Sequence, residues 1–149
     1  MEDYPFALAL YLESTKPLLT ASGRWDESKI LSRFADSFKP DRIWILTCAG
    51  EDCGWFQVSE TPEEVHLDQL HLVESARNGG IGTGLILELQ DRANASAKTL
   101  ALNVMRGNRA QHLYERLGFR LDGGDEEKVR MVWDRAAGRG GRPNEAPTG

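Results

Sequence analysis

Four segments with distinct residue patterns follow one another between Val65 and Met105. The run VHLDQLHLV, residues 65–73, is rich in β-forming residues, and the loop ARNGGIGTGLI, residues 76–86, contains four glycines. A helical pattern covers residues 82–94, and TLALNVM, residues 99–105, is a second β-rich run. A strand, a helix and a strand in this order form a βαβ unit with parallel strands and a right-handed crossover. The glycine loop is therefore predicted to follow the first strand and to open the helix.

The rest of the chain predicts a mixed α/β fold in a single domain of residues 1–134. We expect a central, mostly antiparallel sheet with one parallel pair and with helices on both faces. The tail, residues 135–149, is rich in Gly, Ala and Pro and is predicted to be disordered. Before the βαβ unit, the sequence predicts a helix that ends at Thr15 before Pro17, a helix capped near Asp26 and ended by Pro40, and a hairpin of Arg42–Cys48 and Gly54–Glu60. After the unit, it predicts a helix capped by Asn108 and stopped by Gly118, followed by two closing strands.

Charge and hydropathy exclude several classes of partner. The net charge of −5 over 149 residues disfavours a nucleic-acid-binding surface. No run approaches the roughly 20 apolar residues that a membrane span needs, and the acidic N-terminus lacks the basic flank of a signal peptide. We therefore expect a cytoplasmic protein without a membrane or nucleic-acid partner.

The chain has two cysteines, Cys48 and Cys53, separated by AGED. This spacing suits a short hairpin, so a local bridge is conceivable, but we favour two reduced thiols in a cytoplasmic protein. With two Cys and three His in the sequence, no metal-ligand spacing is present, and we expect no metal.

The glycine loop has two readings. Unpaired amides at a helix N-terminus favour an anion, and glycines bring those amides close to a phosphate. Alternatively, Gly79 and Gly80 only make a tight turn. A P-loop is excluded because no Gly-Lys-Ser/Thr follows, and a dinucleotide fingerprint starting at Gly80 fails because Leu85 stands where glycine is needed.

Two other spacings fit a known family. The first is Arg-x-x-Gly-x-Gly, formed by Arg77, Gly80 and Gly82 after the apolar strand LHLV. The second, NxAxxxYxxxGF, starts at Asn108 and places its tyrosine at Tyr114. Both patterns, in this order, resemble the coenzyme A loop and the later motif of the GNAT family of N-acetyltransferases. The resemblance covers about residues 44–133, although relatives usually begin with a strand that nothing before residue 6 supplies.

The resemblance implies that the chain uses acetyl-CoA as co-substrate. The two parallel strands of the βαβ unit would splay apart and hold it between them. The loop amides would bind the pyrophosphate, and the backbone at Leu70 and Leu72 would bind the pantetheine arm. The cofactor-binding residues implied in this way are Leu70, Leu72, Arg77, Asn78, Gly79, Gly80, Ile81, Gly82, Thr83 and Asn108.

The cofactor strand contains an irregularity. Val65 and Leu67 alternate, but the next apolar pair is Leu70 and Leu72, so the two-residue phase slips. A β-bulge at residue 68 or 69 would explain the slip, and relatives carry a bulge here. Alternatively, both faces of the strand are half-buried and no phase exists.

The chemistry of amine acetylation needs an acid and a base. By pattern alone Tyr114 is a core aromatic, whereas the resemblance assigns it the acid that protonates the leaving thiolate. His66 and Asp68 lie two apart on one face of the cofactor strand and are candidates for the base. The competing interpretation of both is a polar side chain at the end of a strand.

The sequence thus predicts an acetyl-CoA-dependent N-acetyltransferase that acts by direct attack of a primary amine. A small amine is favoured over a peptide or protein amine. A non-catalytic acyl-CoA-binding module is the alternative from another class, and dinucleotide binding is disfavoured. A homodimer is compatible with the sequence, which does not predict one.

Overall fold

The computed structural model describes residues 3–77 and 79–134. The predicted mixed α/β fold is confirmed: six strands form one sheet in the order β1-β2-β3-β4-β6-β5. The elements are α1 (Tyr4–Ala21), α2 (Glu27–Ser37), β1 (Ile43–Cys48), β2 (Glu51–Glu60), β3 (Glu64–Leu72), α3 (Ile81–Ala95), β4 (Thr99–Met105), α4 (Ala110–Arg116), β5 (Arg120–Gly124) and β6 (Lys128–Trp133), with short 3₁₀ turns at Pro40–Arg42 and Glu74–Ala76.

The predicted βαβ unit is present. β3 and β4 are parallel, with Glu64–Leu67 paired to Thr99–Leu102, and α3 connects them. The pairs β1–β2, β4–β6 and β5–β6 are antiparallel. In the described part of the chain, no helix is long and apolar enough to cross a bilayer.

The described residues fall into two compact units, each assembled from two stretches of chain. The first unit comprises the residues up to Gln57 together with Gln69–Arg77, and the second comprises Val58–Asp68 with the residues after Arg77. The predicted boundary of a single domain at residue 134 stays a prediction. The predicted disorder of residues 135–149 lies outside the described residues.

The first unit is built around aromatic rings on α1, α2 and β2. Phe34 and Trp55 are almost completely buried, with their ring centroids 6.0 Å apart. Tyr11 packs on Phe34 at 4.8 Å. The side chain of Asp26 accepts a hydrogen bond from Lys29 N at 3.2 Å, which confirms the predicted cap of α2.

The predicted end of the first helix at Thr15 is wrong, because α1 continues to Ala21 with Pro17 inside it. A proline in a helix interior costs about 3 kcal/mol, since it lacks the N–H that would bond to the preceding turn. Beyond the proline, Leu19 is only 2% exposed, and its burial offsets part of this cost.

The predicted hairpin is confirmed, with a tighter turn than expected. Ala49 and Gly50 alone connect the strands, and both have positive φ, 52° and 84°.

The expectation of two reduced thiols is wrong, because a disulfide joins Cys48 and Cys53. The register of β1 and β2 shifts between Leu46 and Thr47. The two cysteine Cα atoms lie 5.8 Å apart, within the range that a disulfide spans.

The core of the second unit lies between α3 and the sheet. The predicted apolar face of α3 is confirmed, because each of its four residues is at most 8% exposed. Val65 and Leu67 of β3 and Leu100 and Leu102 of β4 are buried as well. The apolar residues of α3 are Leu85, Ile86, Leu89 and Ala93.

Candidate functional site

The glycine loop leads into the N-terminus of α3, where no side chain caps the backbone amides. Gly80 occupies the N-cap of α3 with φ +87°, a left-handed conformation that favours glycine, and no side chain bonds to the cap. The N–H groups of the first helical turn have no intrahelical acceptor. Gly79 and Gly80 are exposed, and residues 81–83 are partly exposed. The first turn contains no acidic residue, so these amides are available to an anion.

The start of α3 lies beside α4. A Cβ added at Gly82 would be 3.8 Å from Leu113 Cδ2, so a side chain of α4 is in contact distance. The next residue along α4 is Tyr114, so the loop and the predicted acid are on adjacent helices. Asn78, which the resemblance also places in the loop, lies outside the described residues.

Arg77, the first residue of the loop motif, is held by side-chain contacts. Its Nε donates to Leu72 O at 2.9 Å, and its Nη2 donates to Glu13 Oε1 at 3.2 Å. Both side chains are substantially exposed, so the ion pair adds little stability. The guanidinium therefore links Arg77 to the end of β3 and to α1. The predicted contact of Arg77 with the cofactor stays a prediction.

The end of β3 is closely packed against β2. Val73 N donates to Cys53 O at 2.9 Å. A Cβ added at Gly54 would lie 2.5 Å from His71 O and 2.7 Å from Leu72 Cδ2. Only glycine fits this position without a shift of the strand that carries Leu70 and Leu72.

The burial of β3 changes along the strand. Val65 and Leu67 are buried and their neighbours are half-buried, whereas every residue from Asp68 to Leu72 is half-buried. The alternation therefore stops after Leu67, and half-burial of both faces from Asp68 onward is also what the alternative without a bulge describes. The bulge at residue 68 or 69 stays a prediction, and so do the contacts of Leu70 and Leu72 with the cofactor.

The candidate base residues form a hydrogen-bonded pair. His66 Nδ1 and Asp68 Oδ1 are 2.6 Å apart, and the two side chains are 22% and 21% exposed. The other carboxylate oxygen of Asp68, Oδ2, accepts a hydrogen bond from Ser59 Oγ on β2 at 2.5 Å. In the described ranges, His66 Nε2 has no hydrogen-bond partner in the protein.

Sequence reasoning missed Ser59. The sequence signal that could have found it is the short turn TPEE between β2 and β3, which closes in the structure with a hydrogen bond from Thr61 N to Glu64 O at 2.9 Å. Counting back along β2 from this closure brings Ser59 toward the strand segment that carries His66 and Asp68.

The predicted acid, Tyr114, is buried on α4. It is 6% exposed, and its ring centroid lies 5.8 Å from that of Phe119. Burial raises the pKa of Tyr114 to about 12, so the phenol keeps its proton at neutral pH. In residues 3–77 and 79–134, its hydroxyl has no hydrogen-bond partner in the protein.

The helix that carries Tyr114 begins and ends as the sequence predicts. Asn108 lies one residue before Arg109, which holds the N-cap position of α4, and its Oδ1 accepts a hydrogen bond from Ala110 N at 2.9 Å, so its side chain caps the first turn. Gly118 follows with φ +98°, the left-handed conformation of a helix stop. Whether Asn108 also contacts a cofactor stays a prediction. No group of three or more potential metal ligands occurs among the described residues.

Comparison with known proteins gives the family. The acetyltransferase (GNAT) domain family matches residues 39–121, more than half of the chain. No curated protein matches the sequence.

Several solved structures share the fold. The N-acetyltransferase PaiA from Thermoplasma acidophilum, solved with coenzyme A, aligns at a TM-score of 0.71 and 18% identity over 90% of this chain and 94% of that one. PH1933 from Pyrococcus horikoshii aligns at a TM-score of 0.63 and 18% identity over 87% and 88%. A GNAT family acetyltransferase from Elizabethkingia anophelis with bound acetyl-CoA gives 0.57 and 14% over 72% and 82%. The chain belongs to the GNAT family of acetyltransferases.

Proposed function

We propose that this acyltransferase moves an acetyl group from acetyl-CoA to a primary amine. The observation that carries the proposal is the start of α3, where amides without a capping side chain lie beside the helix of Tyr114. PaiA and the Elizabethkingia enzyme, solved with coenzyme A and acetyl-CoA, support the same cofactor here.

The loop fits the pyrophosphate of acetyl-CoA. Gly80 leaves open space on its outer side, since nothing lies within 4 Å of an added Cβ. The amides of Ile81, Gly82 and Thr83 would bind phosphate oxygens, and the positive end of the helix dipole favours their charge. A carboxylate in the first turn would oppose this binding, and the first turn has none.

The thioester of bound acetyl-CoA supplies the activated acetyl group. The acceptor amine must be neutral to attack, yet a lysine-like amine with a pKa of about 10.4 is mostly protonated at neutral pH. His66 would accept the proton at Nε2, because the bond from Nδ1 to Asp68 leaves Nε2 as the basic nitrogen. Asp68 would then stabilise the imidazolium that forms.

Tyr114 would stabilise the leaving sulfur as a hydrogen-bond donor. Its pKa of about 12 is roughly 3.5 units above the value of about 8.5 for an ordinary thiol. A phenol that holds its proton this firmly would act by donating a hydrogen bond to the developing thiolate. Solvent would supply the final proton.

The acceptor that we favour is a small amine. The net charge of −5 suits a cationic acceptor better than an acidic polymer. A peptide or protein amine is the alternative, and a panel of amines and lysine peptides in one assay would distinguish them.

The experiment that tests the proposal is calorimetric titration with acetyl-CoA, with NADPH as comparison, followed by amine-dependent release of the CoA thiol. Micromolar binding of acetyl-CoA alone and thiol release with an amine are the expected results. Thr83→Glu places a carboxylate next to the amides that would bind the phosphate and should therefore abolish binding of acetyl-CoA. The same carboxylate interacts favourably with the helix dipole, so the fold should stay intact. Thr83→Gln, of the same size but neutral, should still bind. A folded protein that fails to bind acetyl-CoA would refute the proposal, and binding without thiol release would indicate a non-catalytic module.

A further inference from the structure

We propose that Ser59 is a positioning residue that fixes the Asp68 carboxylate and, through it, the proton position on His66. This inference rests on the proposed function, because it concerns the base of that reaction. The residue comes from β2, whereas Asp68 and His66 lie on β3. It does not touch the reacting atoms, and its proposed effect on His66 runs through Asp68.

The two oxygens of Asp68 have different partners. Oδ1 is 2.6 Å from His66 Nδ1, and Oδ2 accepts the Ser59 hydroxyl at 2.5 Å. Both contacts are partly shielded from solvent, with the Asp68 side chain 21% exposed. Hydrogen bonds in such an environment are stronger than at an open surface.

The second contact adds an orientational constraint to the first. The terminal torsion of an aspartate is soft and broad, so a carboxylate held at one oxygen turns about its Cβ–Cγ bond. A donor on the neighbouring strand fixes the plane of the carboxylate. Ser59 therefore keeps Oδ1 directed at His66 Nδ1.

The orientation decides which nitrogen of His66 is basic. A neutral imidazole carries one proton, and the hydrogen bond at one nitrogen sets the tautomer. With Asp68 accepting from Nδ1–H, the lone pair lies on Nε2. When Nε2 takes the proton of the acceptor amine, Nδ1–H stays hydrogen-bonded to Asp68. The negative carboxylate then stabilises the positive imidazolium. If the carboxylate turns away, part of the population carries its proton on Nε2 and cannot act as base.

The test compares Ser59→Ala with Ser59→Thr in the full chain, using two readouts. Long-range ¹H–¹⁵N NMR reports the tautomer of His66, and the His66→Gln variant identifies its signals among the three histidines. Steady-state kinetics with acetyl-CoA and an amine report kcat and KM separately. Ser59→Ala should shift the His66 signals from Nδ1–H toward a mixture of tautomers.

The kinetic expectation is a fall in kcat on the order of tenfold, below the hundredfold that a misplacement of about 1 Å causes. Affinity for acetyl-CoA should not change, and Ser59→Thr, which keeps the hydroxyl, should restore both readouts. A Ser59→Ala variant with an unchanged tautomer, or with a shifted tautomer and an unchanged kcat, would overturn the inference. If the wild-type protein transfers no acetyl group, the proposed function fails instead, while the tautomer still reports the role of Ser59 on His66.

Discussion

Replacing Tyr114 with Phe should flatten the loss of stability at alkaline pH. Burial raises the pKa of Tyr114 from 10.0 to about 12, so the folded state holds this proton more tightly than the unfolded state. The resulting stabilisation is complete below pH 10 and disappears as the pH rises through 12. Two pKa units correspond to about 2.7 kcal/mol, of which about half is lost by pH 11.

Urea unfolding at pH 8, 10 and 11 would measure this effect. The wild-type free energy of unfolding should fall about 1.4 kcal/mol further between pH 8 and pH 11 than that of Tyr114→Phe, because all other groups titrate alike in both proteins. Absorbance of tyrosinate should also lose a component near pH 12 in the variant. Parallel pH profiles of wild type and variant would refute the argument that the phenol is desolvated.

The same variant tests the chemistry. Loss of one hydrogen bond to a charged group costs roughly 1.5–3 kcal/mol, so kcat should fall about 10- to 150-fold. Affinity for acetyl-CoA should stay unchanged in calorimetry. An unchanged kcat in single-turnover experiments would show that Tyr114 is only a core residue.

Four further variants test the packing and one helix cap. Gly54→Ala would force a Cβ to within 2.5 Å of His71 O and should lower the free energy of unfolding by about 2 kcal/mol. Gly84→Ala places its Cβ where nothing lies within 4 Å and should raise the free energy of unfolding by about 0.5–1 kcal/mol. Equal urea midpoints for the two variants would contradict this contrast. Gln57→Leu removes an acceptor for Lys39 N at 3.0 Å and should cost about 2 kcal/mol, and thermal melts that match the wild type would contradict it. Asp26→Ala removes the cap of α2 and should cost about 1 kcal/mol, which urea unfolding would detect.

Local patterns in the sequence predicted most of the fold and the local structure around the candidate site. The apolar spacing of α3, the cap at Asn108 and the stop at Gly118 involve residues that lie within a few positions of one another. The order of strand, loop, helix and strand then predicted the parallel pair. Such features follow from periodicity and from the conformations open to single residues.

Contacts between distant residues escaped the same reasoning. Arg77 and Glu13 are 64 positions apart, and no local pattern pairs them. Ser59 reaches Asp68 only after β2 and β3 align, and serine in a strand carries no signal of its own. The helix end predicted at Thr15 is wrong for a related reason, because a local rule about Pro17 does not include the burial of Leu19, which offsets part of the cost of the proline.

The interleaved composition of the two units bears on how the chain folds as it is synthesised. The stretch up to Gln57 is synthesised before Gln69–Arg77, which belongs to the same unit. Between these stretches lies Val58–Asp68, which belongs to the other unit and pairs there with β4. Any break within residues 58–68 therefore separates stretches of both units, and a continuous fragment that contains either unit also contains a stretch of the other.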